Sequence, residues 1–294
     1  MNFQIETVSF CDLTCTECPN WMMKRKRQFM SRDVWDVIVN NYVIPYKSLN
    51  AHLSPPTIIP HKDGEPLLNK RLPELLATIA DADPSFKIDI YTHGLLLKRS
   101  FIEFLGSLPN RIRLLISFHF NNHDGTVNDY TQTDSLLREI FASCWQPQNI
   151  EFILASHVIK PMTRDRLEEG KSTWAGPINA GRVTVHANCS INPWTGLIDD
   201  PGTVEFNGCP YAEFGHMFFG ASGNIVACCL DLEEEIVFGN VMVDEPAAMV
   251  AKLEEFYAAQ RRKELRHEVC RNCFGMGKRL DQSAGNLVQL GVSA

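Results

Sequence analysis

"SFCDLTCTECPNW", Ser9 to Trp21, decides the reading of this chain. It sets Cys11, Cys15 and Cys18 at the spacing C-x3-C-x2-C, directly after "FQIETVSF", where Phe3 and Ile5 alternate with Gln4 and Glu6. Such alternation predicts a strand. Three thiols therefore sit on one loop at the end of a first strand. Their spacing lets all three reach a single inorganic centre.

The rest of the chain supplies the frame for that loop. Its 294 residues are enough to bury roughly three quarters of the unfolded surface. After the first strand, "SRDVWDVIVNNY" has Ser31 as an N-cap and Val34, Val37, Ile38 and Tyr42 as a helical stripe. "PPTIIPH" reads as a strand, "KRLPELLATIA" as a helix and "FKIDIYT" as a strand. "SFIEFLGSL" opens with a capping-box pair, Ser100 and Glu103. "RIRLLISFHF", "NIEFILASHVI" and "RVTVHANC" read as strands, "DSLLREIFAS" as a helix and "TRDRLEEGKSTW" as a weak one. Six strands alternating with helices predict an α/β fold with a parallel sheet, open or barrel-like. Cys11, Glu65 and His93 follow the first three strands, so the chemistry lines one rim.

The pattern changes near Asn192. From there the chain is Gly-rich and Cys-rich, then carries the helical stretch "EPAAMVAKLEEFYAAQRRKEL" and ends its cysteines with "CRNC". The expected division is residues 1–191 for the strand–helix domain and 192–294 for a smaller metal-binding domain.

Charge and cysteine usage narrow the class. The net charge is −7, from 28 basic and 35 acidic residues, which argues against nucleic acid as a partner. The run Lys24, Arg25, Lys26, Arg27 is too short for a nucleic-acid patch. No apolar run approaches the roughly 20 residues of a membrane span, and no signal peptide precedes the first strand. A cytoplasmic protein with no membrane partner is expected. There, ten cysteines favour metal binding over disulfides. Zinc is one reading of the first loop, but structural zinc closes its shell with a fourth ligand. Three thiolates on one loop better suit a cubane iron–sulfur cluster with one iron left open.

On these residues the chain resembles the radical SAM (S-adenosylmethionine) superfamily. C-x3-C-x2-C after the first strand is one motif. "HKDGEPLL" is similar to the family's Gly-Gly-Glu-Pro segment, with Asp63 in place of the first glycine, and "IYTHGLLL" to its Thr-Asn-Gly segment, with His93 in place of asparagine. The resemblance implies a partial (β/α)6 TIM-like barrel, with Cys11, Cys15 and Cys18 as catalytic-cluster ligands. It also implies that Gly64, Glu65, Pro66 and Ser117 bind SAM. Glu65 would face the SAM ammonium, a sensible charge pairing. Where the family has an aromatic residue before the third cysteine this chain has Glu17, and Trp21 is the candidate for the adenine.

The second set of cysteines resembles a twitch or SPASM-like auxiliary-cluster domain. C-x13-G-x4-C is met by Cys209, Gly223 and Cys228, and C-x2-C by Cys270 and Cys273. Two 4Fe–4S clusters and SAM are the implied cofactors. A zinc ribbon is the alternative for the second set. Cys228 and Cys229 are adjacent, and the Gly-x4-Cys spacing selects Cys228. Cys144 reads as a buried thiol, and Cys189 falls on the reactive rim. The whole layout, including "CPNWMMKRKRQF", is most similar to radical SAM dehydrogenases of the deoxy-scyllo-inosamine type, but Trp194 stands in the "NPWTGLIDD" loop where those enzymes carry an arginine.

The implied activity is reductive cleavage of SAM to a deoxyadenosyl radical that abstracts hydrogen from a substrate. Oxidation of a small polyol or amino-sugar-like molecule is the first expectation, since only ten residues precede Cys11 and leave no room for a leader-binding domain. Modification of a ribosomally made peptide is the second. An electron donor such as flavodoxin or ferredoxin is the implied partner. The auxiliary cluster would either accept an electron or shape the pocket. Lys62, His119, His157 and His186 are substrate-side candidates, and Asp231 is either another or a turn cap.

Overall fold

A computed structural model describes residues 1–142, 147–156, 183–187, 209–271 and 273. Its centre is one mixed sheet of nine strands in the order β6-β5-β4-β3-β2-β1-β7-β8-β9. The strands are β1 Asn2–Ile5, β2 Thr57–Ile59, β3 Lys87–Thr92, β4 Arg111–Phe118, β5 Ile150–Ser156, β6 Val183–Ala187, β7 His216–Phe219, β8 Asn224–Val226 and β9 Val237–Asn240. From β6 across to β7 every neighbouring pair is parallel, while β7-β8-β9 is an antiparallel meander. The ends of the order, β6 and β9, do not pair among the described residues, so the sheet there is an open, partial barrel.

Helices cover one face because the strands offer them an apolar row. In β4, Ile112, Leu114, Ile116 and Phe118 are buried in the core, while Arg111, Arg113, Leu115 and Ser117 lie on the other face. The helix Leu72–Ala82 answers with Leu72, Leu75, Leu76 and Ile79, all buried, at the spacing the sequence shows. Ser31 caps the helix Arg32–Ile38 by accepting from Val34 N–H. That helix runs on through a π turn at Val39–Val43 into Ile44–Leu49. The capping box expected at Ser100 is absent. The helix Arg99–Ser107 already starts at Arg99, with an N-cap Lys98 that makes no side-chain cap, so Ser100 lies inside it and Glu103 pairs with Arg99 instead.

The C-terminal segment enters the same sheet. β7 adds in parallel to the free edge of β1, pairing Phe3 with Met217 and Ile5 with Phe219. The β7–β8 turn needs Gly223: its φ is +89°, and a Cβ there would meet Val241 at 3.0 Å. The expected boundary at 191/192, the weak helix in "TRDRLEEGKSTW", Cys144, Cys189, His157 and Trp194 all lie outside the described residues, as does the side chain of His186. Among the described residues no helix is long and apolar enough to cross a membrane.

Trp35 joins the first helix to the second layer. It is completely buried, and its indole N–H donates to Thr78 Oγ1 at 2.9 Å. Trp35→Ala should cost about 3–5 kcal/mol, as large-to-small changes of buried aromatics do. Urea unfolding measures it; a loss below about 1 kcal/mol would show that the two helices are not held by this residue.

Candidate functional site

The loop bearing the first three cysteines is pinched at its base. Ser9 N–H donates to the Gln28 carbonyl and Met30 N–H to the Thr7 carbonyl, so residues 10–27 leave and return at one point. Asn20 ties the loop internally. It is buried; its carbonyl oxygen accepts from Cys11 N–H at 3.1 Å, and its amide donates to the Ser9 and Asp63 carbonyls at 3.1 and 2.9 Å. The loop after β4 packs on the other side. Thr16 N–H donates to the Asn121 carbonyl, His123 N–H to the Thr14 carbonyl, and Thr14 N–H to Asn122 Oδ1.

The segment after β2 lies directly against this loop. Gly64 sits where no side chain fits: a Cβ would stand 2.3 Å from the Val8 carbonyl oxygen and 2.5 Å from that of Phe10. The next residue, Glu65, donates its N–H to the Phe10 carbonyl at 3.0 Å. Its carboxylate is buried and well supplied with donors. Oε1 accepts from Leu67 N–H at 2.9 Å and Thr92 Oγ1 at 2.7 Å, and Oε2 from His93 N–H at 2.9 Å. Pro66 then starts a short 3-10 turn, Pro66–Leu68, with Glu65 as its cap. His93 Nε2 lies 2.9 Å from Asp12 Oδ1 and 3.4 Å from Glu65 Oε2. Burial works against its charge, but Glu65, Asp12 and Cys11 together lift its pKa to about 10.

Burial raises the thiols of Cys15 and Cys18, the latter to about 12, with the Glu17 carboxylate adding to the rise at Cys15. Such thiols become thiolates only against a strong positive partner such as a metal centre. Among the described residues the one set of three ligating groups within 4.8 Å of each other is Cys11, Asp12 and His93. Neither cysteine set is drawn that close. The donor chemistry fits an iron–sulfur cluster at Cys11, Cys15 and Cys18.

Four thiols of the C-terminal segment line one pocket: Cys209, Cys228, Cys270 and Cys273. Cys209 is the N-cap of the helix Pro210–Phe214, Cys228 follows β8, and Cys270 lies in the helix Glu268–Arg271. Cys229 does not line the pocket. Its sulfur is 2.8 Å from the Tyr211 hydroxyl, and burial outweighs that hydrogen bond to push its pKa to about 11. Of the two adjacent cysteines, the one that lines the pocket is Cys228, which the Gly-x4-Cys spacing also selects.

Other candidates fall differently. Ser117 is buried in β4, beside Ala155 of β5. His119 is joined through Nδ1 to Glu17 Oε1 at 2.6 Å, so the residue before Cys18 is paired with the end of β4. Trp21 lies tilted against His123, with ring centroids 3.9 Å apart and an interplanar angle of 33°. Lys62 is not exposed to a substrate. It is fully buried, with its ammonium 2.5 Å from Asp63 Oδ2 and 3.0 Å from the Asp231 carbonyl. Asp231 is a turn cap, accepting from Glu235 and Ile236 N–H. Sequence reading missed Asn20, Thr92 and Arg25. "CPN" was the available signal for Asn20; nothing in the basic run marked Arg25.

Comparison with known proteins bears on the fold and on the C-terminal segment. Residues 209–274 match the SPASM family, an iron-sulfur cluster-binding domain. The chain is similar in structure to BtrN in complex with AdoMet and 2-DOIA, with a TM-score of 0.63, 17% identity and coverage of 93% of this chain and 92% of that one. The chain shares the partial-barrel fold of that structure, and its residues 209–274 carry the match to an iron-sulfur cluster-binding domain. It is also similar to anSMEcpe with bound AdoMet and Kp18Cys peptide (TM-score 0.57, 14% identity, 95% and 91% covered). Streptococcus suis SuiB bound to precursor peptide SuiA is a third (TM-score 0.53, 16% identity, 92% and 69% covered). No curated protein sequence matches the chain.

Gly64→Ala tests the contact between the two loops. The added methyl must displace backbone rather than a flexible side chain, which should cost about 1–3 kcal/mol. The urea midpoint should fall, and the iron taken up at the first loop should fall with it. Wild-type stability and iron would mean that the loops do not meet here.

Proposed function

We propose that the chain is a radical SAM oxidoreductase. The observation that carries this reading is the meeting of three thiols on one loop with a glycine-opened, carboxylate-anchored segment at the C-terminal ends of parallel strands. Cys11, Cys15 and Cys18 would hold a 4Fe–4S cluster, and Cys209, Cys228, Cys270 and Cys273 a second. Held by Cys11, Cys15 and Cys18 with SAM bound at Glu65, the first cluster would supply the one-electron chemistry for hydrogen abstraction from a substrate. A low-potential one-electron donor, flavodoxin- or ferredoxin-like, is the required partner.

The protein's own residues bind and place. Gly64 keeps the segment thin enough for its backbone to lie on the Cys loop. Glu65 is fixed by Thr92, Leu67 and His93, so its charge is oriented before a ligand arrives. An amino group of SAM is the natural cation for it. Pro66 starts the turn that follows Glu65, and Ser117 lies on the sheet face away from the helices. Exclusion of water by the surrounding loops protects a radical from side reactions.

The substrate we favour is a small polyol or amino-sugar-like molecule, oxidised with the second cluster as electron acceptor. Support comes from the likeness in fold to BtrN, whose complex contains 2-DOIA, at a TM-score of 0.63. A peptide substrate is the second reading, supported by the likeness to anSMEcpe and SuiB, both bound to peptides. Turnover of a panel of aminocyclitols against cysteine- or serine-containing peptides separates the two.

Two variants test the core of the proposal. Reduced, reconstituted protein should form deoxyadenosine from SAM, and Cys15→Ala should abolish this; cleavage retained in Cys15→Ala contradicts the cluster assignment. Glu65→Gln keeps the shape and removes the charge. A charge-assisted hydrogen bond contributes about 1.5–3 kcal/mol, so SAM affinity should fall about tenfold or more with iron content unchanged. Unaltered affinity would show that Glu65 does not meet the SAM ammonium.

A further inference from the structure

After Cys228 and Cys229 the chain runs through Asp231, Leu232, Glu233 and Glu234, and the barrel loops hold each of these four in turn. Lys62 Nζ donates to the Asp231 carbonyl at 3.0 Å. Arg25 Nε donates to the Leu232 carbonyl at 2.6 Å. The backbone N–H groups of Lys24 and Arg25 each donate to one oxygen of the Glu233 carboxylate, both at 2.8 Å. Arg25 Nη1 lies 3.2 Å from Glu234 Oε1.

The same two cations reach the other loops. Arg25 Nη2 donates to Asp63 Oδ2 at 2.7 Å, and Lys62 donates to that oxygen too. Arg25 also takes both oxygens of Glu6, at 2.9 and 2.5 Å. Glu6 in turn accepts from Ala221 N–H, just beyond β7, at 2.9 Å. One buried set of charges therefore touches the segment after the third cysteine, the segment just before Glu65, and the loop just after Cys228.

We propose that Arg25, Lys62 and Glu233 are positioning residues that couple the two metal sites, so that occupancy of the C-terminal thiols strengthens SAM binding at the N-terminal loop. The proposal rests on the functional reading above. Its physical basis is that buried ion pairs do not stretch: moving one partner leaves a charge uncompensated in a low-dielectric site. A shift of residues 231–234 is therefore passed to Asp63. From Asp63 it reaches Gly64 and Glu65, because Gly64 has no slack against the Val8 and Phe10 carbonyls. Coupling of this kind is reciprocal in binding free energy. Asp63, which stands in place of a glycine in the similar motif, gives this chain an anion on which both cations converge.

A binding cycle tests it. SAM affinity is measured by anaerobic calorimetry on reconstituted wild type, on Cys270→Ala/Cys273→Ala, on Glu233→Ala, and on the triple variant, with iron content measured for each. Glu233 is the gentle choice because its carboxylate meets only backbone N–H groups at a partly exposed position, and Lys62→Met serves as a second background. Loss of the C-terminal cluster should weaken SAM about fivefold or more in the wild-type background, the usual scale of coupling between sites. In the Glu233→Ala and Lys62→Met backgrounds the same loss should change affinity less than about twofold. Unchanged affinity on losing the cluster, or an equal fall in every background, overturns the coupling, since a merely structural role would lower stability without altering the cycle. Wild-type protein that takes up iron yet binds no SAM overturns the reading of the N-terminal site, and the coupling with it.

Discussion

Gly64 rests on the backbone that comes after β1 with no room for a methyl group, 2.3 Å from the Val8 carbonyl oxygen at its would-be Cβ. Much of the candidate site depends on that approach. It presses the segment after β2 onto the loop of Cys11, Cys15 and Cys18, and lets Glu65 N–H close a backbone bond to Phe10. Asn20 then bridges the same two loops from the far side, bonding Cys11, Ser9 and Asp63. Thiols and carboxylate come from segments over forty residues apart in sequence, yet a few short backbone contacts fix them in one place. Preorganisation of this kind is what a site needs if it is to orient a charged ligand without reorganising.

The architecture makes the C-terminal module an extension of the barrel sheet. β1 is central, with β2 on one side and β7 on the other, so the strand that ends at the Cys loop also carries the SPASM segment. Glu6, one residue beyond β1, continues that junction through Arg25 and Ala221. Burial and the Glu6 carboxylate push the pKa of Asp63 upward, while Lys62 and Arg25, both bonded to it, work against that rise. Removing one partner from such a buried set typically costs about 3–5 kcal/mol, which makes this junction one of the least forgiving places in the chain.

Much of this was legible in the sequence, and the reasons are physical. Thiol spacing on one loop, strand alternation and a Gly-Glu-Pro turn are local features, and local features survive without coordinates. The helix stripe of Leu72, Leu75, Leu76 and Ile79 and the cap at Ser31 are of this kind. What failed was non-local. Lys62 looked like a group waiting for substrate, and its true partner, the Asp231 carbonyl, lies 169 positions away. Arg25 looked like one of four surface cations, but its guanidinium meets Glu6, Asp63 and Glu234. Adjacent Cys228 and Cys229 differ only in which way the chain turns them, and Tyr211 accounts for one. The cap at Ser100 failed for a local reason, because the helix already begins at Arg99 and Glu103 goes to Arg99.

The central claim is that the two sets of cysteines hold two iron–sulfur clusters of different kinds, one open to SAM and one closed by four thiols. Anaerobic iron, sulfide and zinc analysis of the intact reconstituted protein tests it most directly. The account predicts about eight irons and eight sulfides per chain, two cubanes, with no zinc. About four irons with one zinc would contradict it, for the SPASM segment would then be a zinc ribbon and the proposed oxidation would have no acceptor.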